Sequence, residues 1–185
     1  MEKPTEFVSD LAIIGIYYFR DGENLKNELQ YLIENDIKDK GEFQLTDALE
    51  NMRKKGLNLF PGAVDEWLDC GNKNATVYTN QRILGLNQDE KLVADSIKVV
   101  NSTITEPCYI GENVIIENST VGPFVSIGDN SSVKNSTIKN AIVQTNTALD
   151  NVNFDNSMIG NFVDCKDDGI EKEVSIGDYS TVLSK

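Results

Sequence analysis

Residues 101–140 read NSTITEPCYIGENVIIENSTVGPFVSIGDNSSVKNSTIKN. Asn-Ser-Thr begins at Asn101, Asn118 and Asn135, and both intervals, 118 minus 101 and 135 minus 118, equal 17. Aliphatic residues keep the same beat. Ile104, Ile110 and Ile116 are six apart, Val121 follows after five, Ile127 and Val133 follow at six each, and Ile138 after five. Glycine comes directly after Ile110, Val121 and Ile127. A hexapeptide period with one inward aliphatic per step and small polar corners is the pattern of a parallel β-helix, in which each short strand stacks on the one a full coil away. The spacing predicts that Ile104, Val121 and Ile138 share one internal column, and Ile110 and Ile127 another.

Asn-x-Ser/Thr is also the acceptor pattern for N-glycosylation. A glycan signal has no reason to be periodic, whereas a recurring corner does. Asn tolerates the left-handed backbone of a tight corner, and Ser and Thr hydroxyls bond to nearby backbone groups. The N-terminus MEKPTEFVSD has no apolar core of a secretory signal, which also favours the corner reading.

The repeat continues imperfectly toward residue 185. NFDNSMIGNFV (153–163) echoes IIENSTVGPFV (115–125) at an offset of 38, which reads as two coils of 17 plus four inserted residues. SIGDYSTV (175–182) echoes SIGDNSSV (126–133). Between the two echoes, CKDDGIEKE (165–173) carries dense charge and reads as a loop thrown out of a coil. The expectation is a domain of roughly four coils over residues 91–185.

Residues 1–90 have a different grammar. DLAIIGIYYF (10–19) is a β-branched and aromatic run of strand length, followed by an Asp21-Gly22 turn. ENLKNELQYLIENDI (23–37) places Leu25, Leu29, Leu32 and Ile33 on one helical stripe. QLTDALENMRKKG (44–56) offers Thr46 or Asp47 as N-cap, Leu45, Leu49 and Met52 as an apolar face, and Gly56 as a stop. LNLF (57–60), a Pro61-Gly62 turn, EWLD (66–69) and a helix from about Asn72 to Leu84 complete an α/β pattern.

Composition limits the chemistry. The 185 residues carry 30 acidic and 17 basic side chains, a net charge of −13, which opposes binding to nucleic acid or anionic membranes. No apolar run approaches the roughly 20 residues of a membrane span, so a cytoplasmic protein is expected. Cys70, Cys108 and Cys165 are too far apart in sequence for a C-x-x-C pair and read as plain buried thiols. The chain has no histidine, which excludes any mechanism needing an imidazole from this chain.

Four phrases of the first half, in order, resemble the sugar-phosphate nucleotidyltransferases, the family of glucose-1-phosphate thymidylyltransferase and its uridylyl and guanylyl relatives. Glu2-Lys3-Pro4 matches the family's E-K-P, AIIGIYYF (12–19) its A-V-x-G-[IL]-Y-x-F strand, GEFQLTD (41–47) its G-E-x-[EQ]-[IL]-T-D, and EWLDCGN (66–72) its W-x-D-x-G element. Each motif alone is weak, and their order, followed by hexapeptide repeats, carries the resemblance. It covers nearly the whole chain. It implies the C-terminal part of a Rossmann-like α/β catalytic domain over residues 1–90, followed by an all-β left-handed parallel β-helix over 91–185. The family's G-G-x-G-[ST]-R-[LM] nucleotide loop does not occur in the chain. The resemblance therefore implies the sugar-binding side of such an enzyme without its nucleotide-binding half, and no catalytic residue of its own.

By position in those motifs, Lys3 would contact the sugar phosphate and Glu2 the sugar hydroxyls, while Ile13 and Gly15 through their backbone and Tyr17 through its side chain would line the sugar pocket. Asp69 would be a carboxylate ligand of Mg²⁺, a cation that takes oxygen donors. The residues themselves leave other readings open: Lys3 as a surface lysine near a terminus, Ile13 and Tyr17 as strand packing, Asp69 as a strand-end turn residue, and Asp47 as an N-cap before a substrate contact. Cys70 departs from the Thr that many relatives carry after this aspartate. The implied partners are a sugar-1-phosphate and a nucleoside triphosphate.

Two other classes remain. The β-helix could be a hexapeptide acyltransferase, but those enzymes use a histidine base that this chain lacks. It could instead be a non-catalytic oligomerisation or regulatory module. End coils leave strand edges that need cover, so a homo-oligomer paired through the β-helix, a dimer first of all, is expected.

Overall fold

The structure is a computed structural model that describes residues 7, 9–11 and 13–184. The chain divides into two compact units, Met1–Trp67 and Leu68–Lys185.

The second unit is a parallel β-helix of about five turns, one more than the repeat count predicts. Three parallel sheets form its walls. The first holds β1 (Lys98–Val100), β4 (Ile115–Glu117), β7 (Ser132–Lys134), β10 (Ala148–Asp150), β13 (Asp164–Lys166) and β16 (Thr181–Leu183). The second holds β2 (Thr103–Ile104), β5 (Thr120–Val121), β8 (Thr137–Ile138), β11 (Asn153–Phe154) and β14 (Glu171–Lys172). The third holds β3 (Cys108–Ile110), β6 (Val125–Ile127), β9 (Ala141–Val143), β12 (Ser157–Ile159) and β15 (Ser175–Ile176).

The predicted columns are present. Ile104 pairs in register with Val121 and Val121 with Ile138, and Ile110 pairs with Ile127. A third column runs Ile116, Val133, Leu149, Cys165 and Val182. Val121, Ile127, Val133 and Ile138 have no exposed surface. Burying an aliphatic side chain of this size contributes roughly 1.5–3 kcal/mol.

The corners explain the repeated triplet. Asn101, Asn118 and Asn135 all have positive φ, between 47° and 50°, and Asn151 continues the column at 55°. An L-residue in this region costs about 1–2 kcal/mol, least for Asn and Gly. Their side-chain amides also bond from coil to coil, Asn101 Nδ2 donating to Asn118 Oδ1 at 3.4 Å and Asn135 Nδ2 to Asp150 Oδ1 at 2.9 Å.

The later coils correct the offset of 38. Ile159 pairs with Val143, which pairs with Ile127, so Ile159 lies two coils of 16 residues on from Ile127 (159 − 127 = 32) instead of aligning with Val121. The physical reason is a shorter corner: Gly122-Pro123-Phe124 separates β5 from β6, whereas Lys139-Asn140 suffices between β8 and β9. The charged stretch 165–173 is likewise partly inside the coil. Cys165 and Lys166 belong to β13 and Glu171 and Lys172 to β14, leaving 167–170 as the loop. Lys172 ties that loop down, donating to Asp167 at 2.6 Å and to Asp168 at 3.0 Å.

Helix Lys73–Leu86 lies within this unit, against β6, β9 and β12. Asn72 is its N-cap, its side chain accepting from Ala75 N at 3.0 Å. Val77 and Leu84 are buried, while Asn80 accepts from Ser126 Oγ at 2.6 Å and Gln81 donates to Asn140 Oδ1 at 2.9 Å. A helix assigned by sequence to a domain ending at residue 90 thus covers one wall of the β-helix.

The first unit contains two helices, Gly22–Glu34 and Leu45–Lys54, packed together through Leu32, Ala48, Leu49 and Met52. Ile33, predicted on the inward stripe, is exposed. The cap of the second helix is Gln44, without a side-chain bond, so Thr46 and Asp47 sit inside the first turn. Gly56 ends it as predicted at φ 96°, with Gly56 N bonding Arg53 O and Leu57 N bonding Met52 O, a Schellman arrangement.

Among the described residues no strand forms over 10–20. Gly15 has φ 83° and interrupts the extended run, and Ile13 is 66% exposed. A strand is stable only when its backbone groups meet a paired neighbour, and residues 22–54 supply helices in place of one. The Rossmann-like α/β expectation for residues 1–90 is therefore not borne out by a sheet: among the described residues there, three short helices stand with extended segments between them.

Candidate functional site

The residues singled out by motif fall into separate places. Glu2 and Lys3 lie outside the described residues. Ile13, Gly15 and Tyr17 belong to the first unit, and Asp69 to the second. Tyr17 is about one-third exposed, and its ring stacks on Phe19 with centroids 6.2 Å apart.

Asp69 is exposed and locally engaged. Its Oδ1 accepts from Gly71 N at 3.0 Å, an Asx turn, and its backbone oxygen accepts from Thr79 Oγ1 at 2.9 Å, tying the turn to the helix that follows. A Cβ at Gly71 would meet Asp69 Oδ2 at 3.1 Å, so the glycine leaves room for the carboxylate. Among the described residues no group of three or more carboxylate, cysteine or histidine side chains is close enough to hold a metal ion. Asp69 offers a single carboxylate, and a magnesium ion held there would take its remaining oxygen ligands from water and phosphate.

The second unit has a small cleft of about 100 Å³ at the start of the β-helix, lined among others by Glu90, Lys91, Glu106 and Cys108. Small-molecule sites usually enclose about 300–1,000 Å³, so this cleft is too small for a sugar nucleotide. Burial pushes the Cys108 thiol above its ordinary value, and the thiol donates to Thr105 O at 3.1 Å. Burial likewise raises Cys165. Both are unreactive packing thiols. Cys70, expected to be buried, is exposed.

Sequence reasoning missed one feature. Phe162 and Tyr179 stack with ring centroids 5.0 Å apart and planes 4° from parallel, on the outside of a β-helix corner. Their 17-residue spacing was visible, but they stand where the earlier coils have asparagine.

No protein-family model matches the chain, and no curated protein is significantly similar to it. Among the described residues no helix is long and apolar enough to cross a membrane.

Proposed function

We propose that this chain is the sugar-binding and β-helix portion of a sugar-1-phosphate nucleotidyltransferase, which converts a nucleoside triphosphate and a sugar-1-phosphate into a nucleotide sugar and pyrophosphate. The observation that carries this reading is the ordered run of four motifs at 2–4, 12–19, 41–47 and 66–72 leading directly into a parallel β-helix. In this reading the Lys3 ammonium pairs with the sugar phosphate, Glu2 accepts from sugar hydroxyls, and the backbone at Ile13 and Gly15 with the Tyr17 side chain shapes the pocket. The Asp69 carboxylate would be a ligand of a magnesium ion, whose charge would offset that of the reacting phosphates. In-line phosphoryl chemistry depends on positioning and charge more than on a protein base, which accords with a histidine-free chain.

The chain alone is expected to release no pyrophosphate, because its 185 residues hold no glycine-rich phosphate loop. The test uses the polypeptide bearing this sequence as isolated from its source with an antibody to the β-helix, supplied with nucleoside triphosphates and sugar-1-phosphates. Pyrophosphate release is expected, and Asp69→Asn should lower turnover by orders of magnitude. Asn keeps the side-chain oxygen that accepts from Gly71 N, so an unchanged turnover would leave Asp69 a turn residue only. No pyrophosphate from any substrate pair sinks the reading.

A second reading is favoured by the open edges of the β-helix: β1 and β2 at one end and β14, β15 and β16 at the other are each hydrogen-bonded to a single neighbouring strand, whereas residues 92–94 cover the outer edge of β3. Such edges accept further strands, which supports a homo-oligomerisation module. Light scattering should then report a dimer at micromolar concentration, and a strict monomer would count against it. Acyl transfer remains the least supported class, and acetyl-coenzyme A turnover by the purified chain would reinstate it.

A further inference from the structure

The inward column of the second wall ends in a charge. Register aligns Ile104, Val121, Ile138, Phe154 and Lys172, one residue per coil. The first four are apolar, and Val121, Ile138 and Phe154 are at most 1% exposed. The backbone keeps the pattern to the last member, since Lys139 N donates to Phe154 O and Asp155 N to Lys172 O. A lysine therefore stands where each earlier coil has an apolar side chain.

That lysine is anchored. Its Nζ donates to Asp167 Oδ1 at 2.6 Å and to Asp168 Oδ1 at 3.0 Å, and the Asp167 side chain is only 8% exposed. These hydrogen bonds hold the Lys172 pKa above its ordinary value, so the ammonium stays charged. Val174, Ile176 and Val182 complete the last coil and are only partly buried, because β14, β15 and β16 have no further strand against their outer edges among the described residues.

The opposite end lacks such a charge. The inward residues of β1 and β2, whose outer edges are free, are Val99 and Ile104. A second copy stacked head to tail would set its β1 on β16 and its β2 on β14, continue both parallel ladders, and lay Ile104 of the second copy on Lys172. Contacts of this kind do not close on themselves and grow into filaments. Inward-pointing charges protect sheet edges against such growth, and repeat arrays end in caps with a polar outer face.

We propose that Lys172, held by Asp167, blocks this end of the β-helix against head-to-tail stacking of a second copy. Stacking would strip water from the ammonium and its carboxylate partner, and an apolar column offers neither a new hydrogen bond. The inference rests on the oligomerisation reading, in which open edges accept strands, and limits it: copies pair elsewhere on the β-helix and do not grow through this end. The charged stretch 165–173 thereby acquires a role, its aspartates holding the blocking lysine in place.

The test compares the unaltered chain with the double variant Lys172→Ile, Asp167→Asn by sedimentation velocity over a micromolar concentration series. The double variant loses one cation and one anion, so its net charge stays at −13 and weaker repulsion cannot explain any added association. Isoleucine matches Ile104 and Ile138 in the column. The unaltered chain should reach a mass that stops growing with concentration, while the variant should at least double that mass with its far-ultraviolet circular dichroism unchanged. Adding Val182→Lys to the variant restores an inward charge at the same end and should return it to the unaltered mass. If the isoleucine variant does not fold, Lys172→Met with Asp167→Asn carries the same expectation. Equal masses for the unaltered chain and the folded variant overturn the proposal, as do open-ended growth of the unaltered chain and association that survives Val182→Lys. A strict monomer for the unaltered chain counts against the oligomerisation reading alone, because the block is read from the difference between the two chains.

Discussion

Ser136 donates its backbone N–H to the hydroxyl of Ser119, one coil away, at 3.0 Å, and both residues are buried. The same bond recurs along the corner, from Ser119 N to Ser102 Oγ and from Val152 N to Ser136 Oγ, each at 3.0 Å. The serine of each Asn-Ser-Thr triplet thus satisfies a backbone donor of the next coil, which the strand ladders cannot reach.

Removing one rung leaves a buried N–H without a partner. Ser119→Ala is expected to cost about 1–3 kcal/mol, read as a lower urea midpoint with the slope unchanged. Unaltered stability would mean that water replaces the hydroxyl.

The asparagine of the triplet acts through its backbone. Asn118 has φ 49°, so Asn118→Ala should destabilise by about 1–2 kcal/mol, the cost of a left-handed L-residue. Asn118→Gly should lose much less, because glycine adopts this conformation freely. Equal losses in thermal denaturation would assign the effect to the amide ladder with Asn135 instead.

In the first unit, the Arg53 guanidinium donates to both oxygens of Glu50 at 2.7 and 2.8 Å and lowers the Glu50 pKa from 4.5 to about 2. The folded chain holds this proton less tightly than the unfolded chain. The pair's contribution to stability is therefore present above pH 4.5 and lost as pH falls from there toward 2. The pair is exposed, so the contribution is small. A carbon-detected NMR titration should place the Glu50 midpoint near 2 and return it toward 4.5 in Arg53→Ala. A midpoint near 4.5 in the unaltered chain would show that the pair does not persist in solution.

The β-helix could be read from residues 101–140 because every coil repeats one environment. A position that needs positive φ needs it again 17 residues later, so Asn101, Asn118 and Asn135 recur, as do Ile104, Val121 and Ile138 inside. Where the corner shortens at Lys139-Asn140, the beat becomes 16, and textual similarity between 115–125 and 153–163 misled the alignment. Only hydrogen-bonded register distinguishes a shorter corner from an inserted segment.

For the candidate site, sequence supplied motif positions and nothing about their setting. Asp69 could be read as a turn residue or a ligand, and the Asx turn to Gly71 N shows the local role it does play. The aromatic pair showed in the sequence only as two rings one 17-residue period apart, and the stacking of two coils makes Phe162 and Tyr179 neighbours.

What the sequence by itself determined is the coil: period, inward aliphatics and corner residues are local demands repeated along the chain, and each is met within a few residues. Tertiary structure alone decided the rest. The helix Lys73–Leu86 belongs to the β-helix because its contacts are with strands and corners 40 or more residues away, and among the described residues of the apolar run 10–19 no strand forms because a strand requires a paired neighbour that its own residues cannot specify.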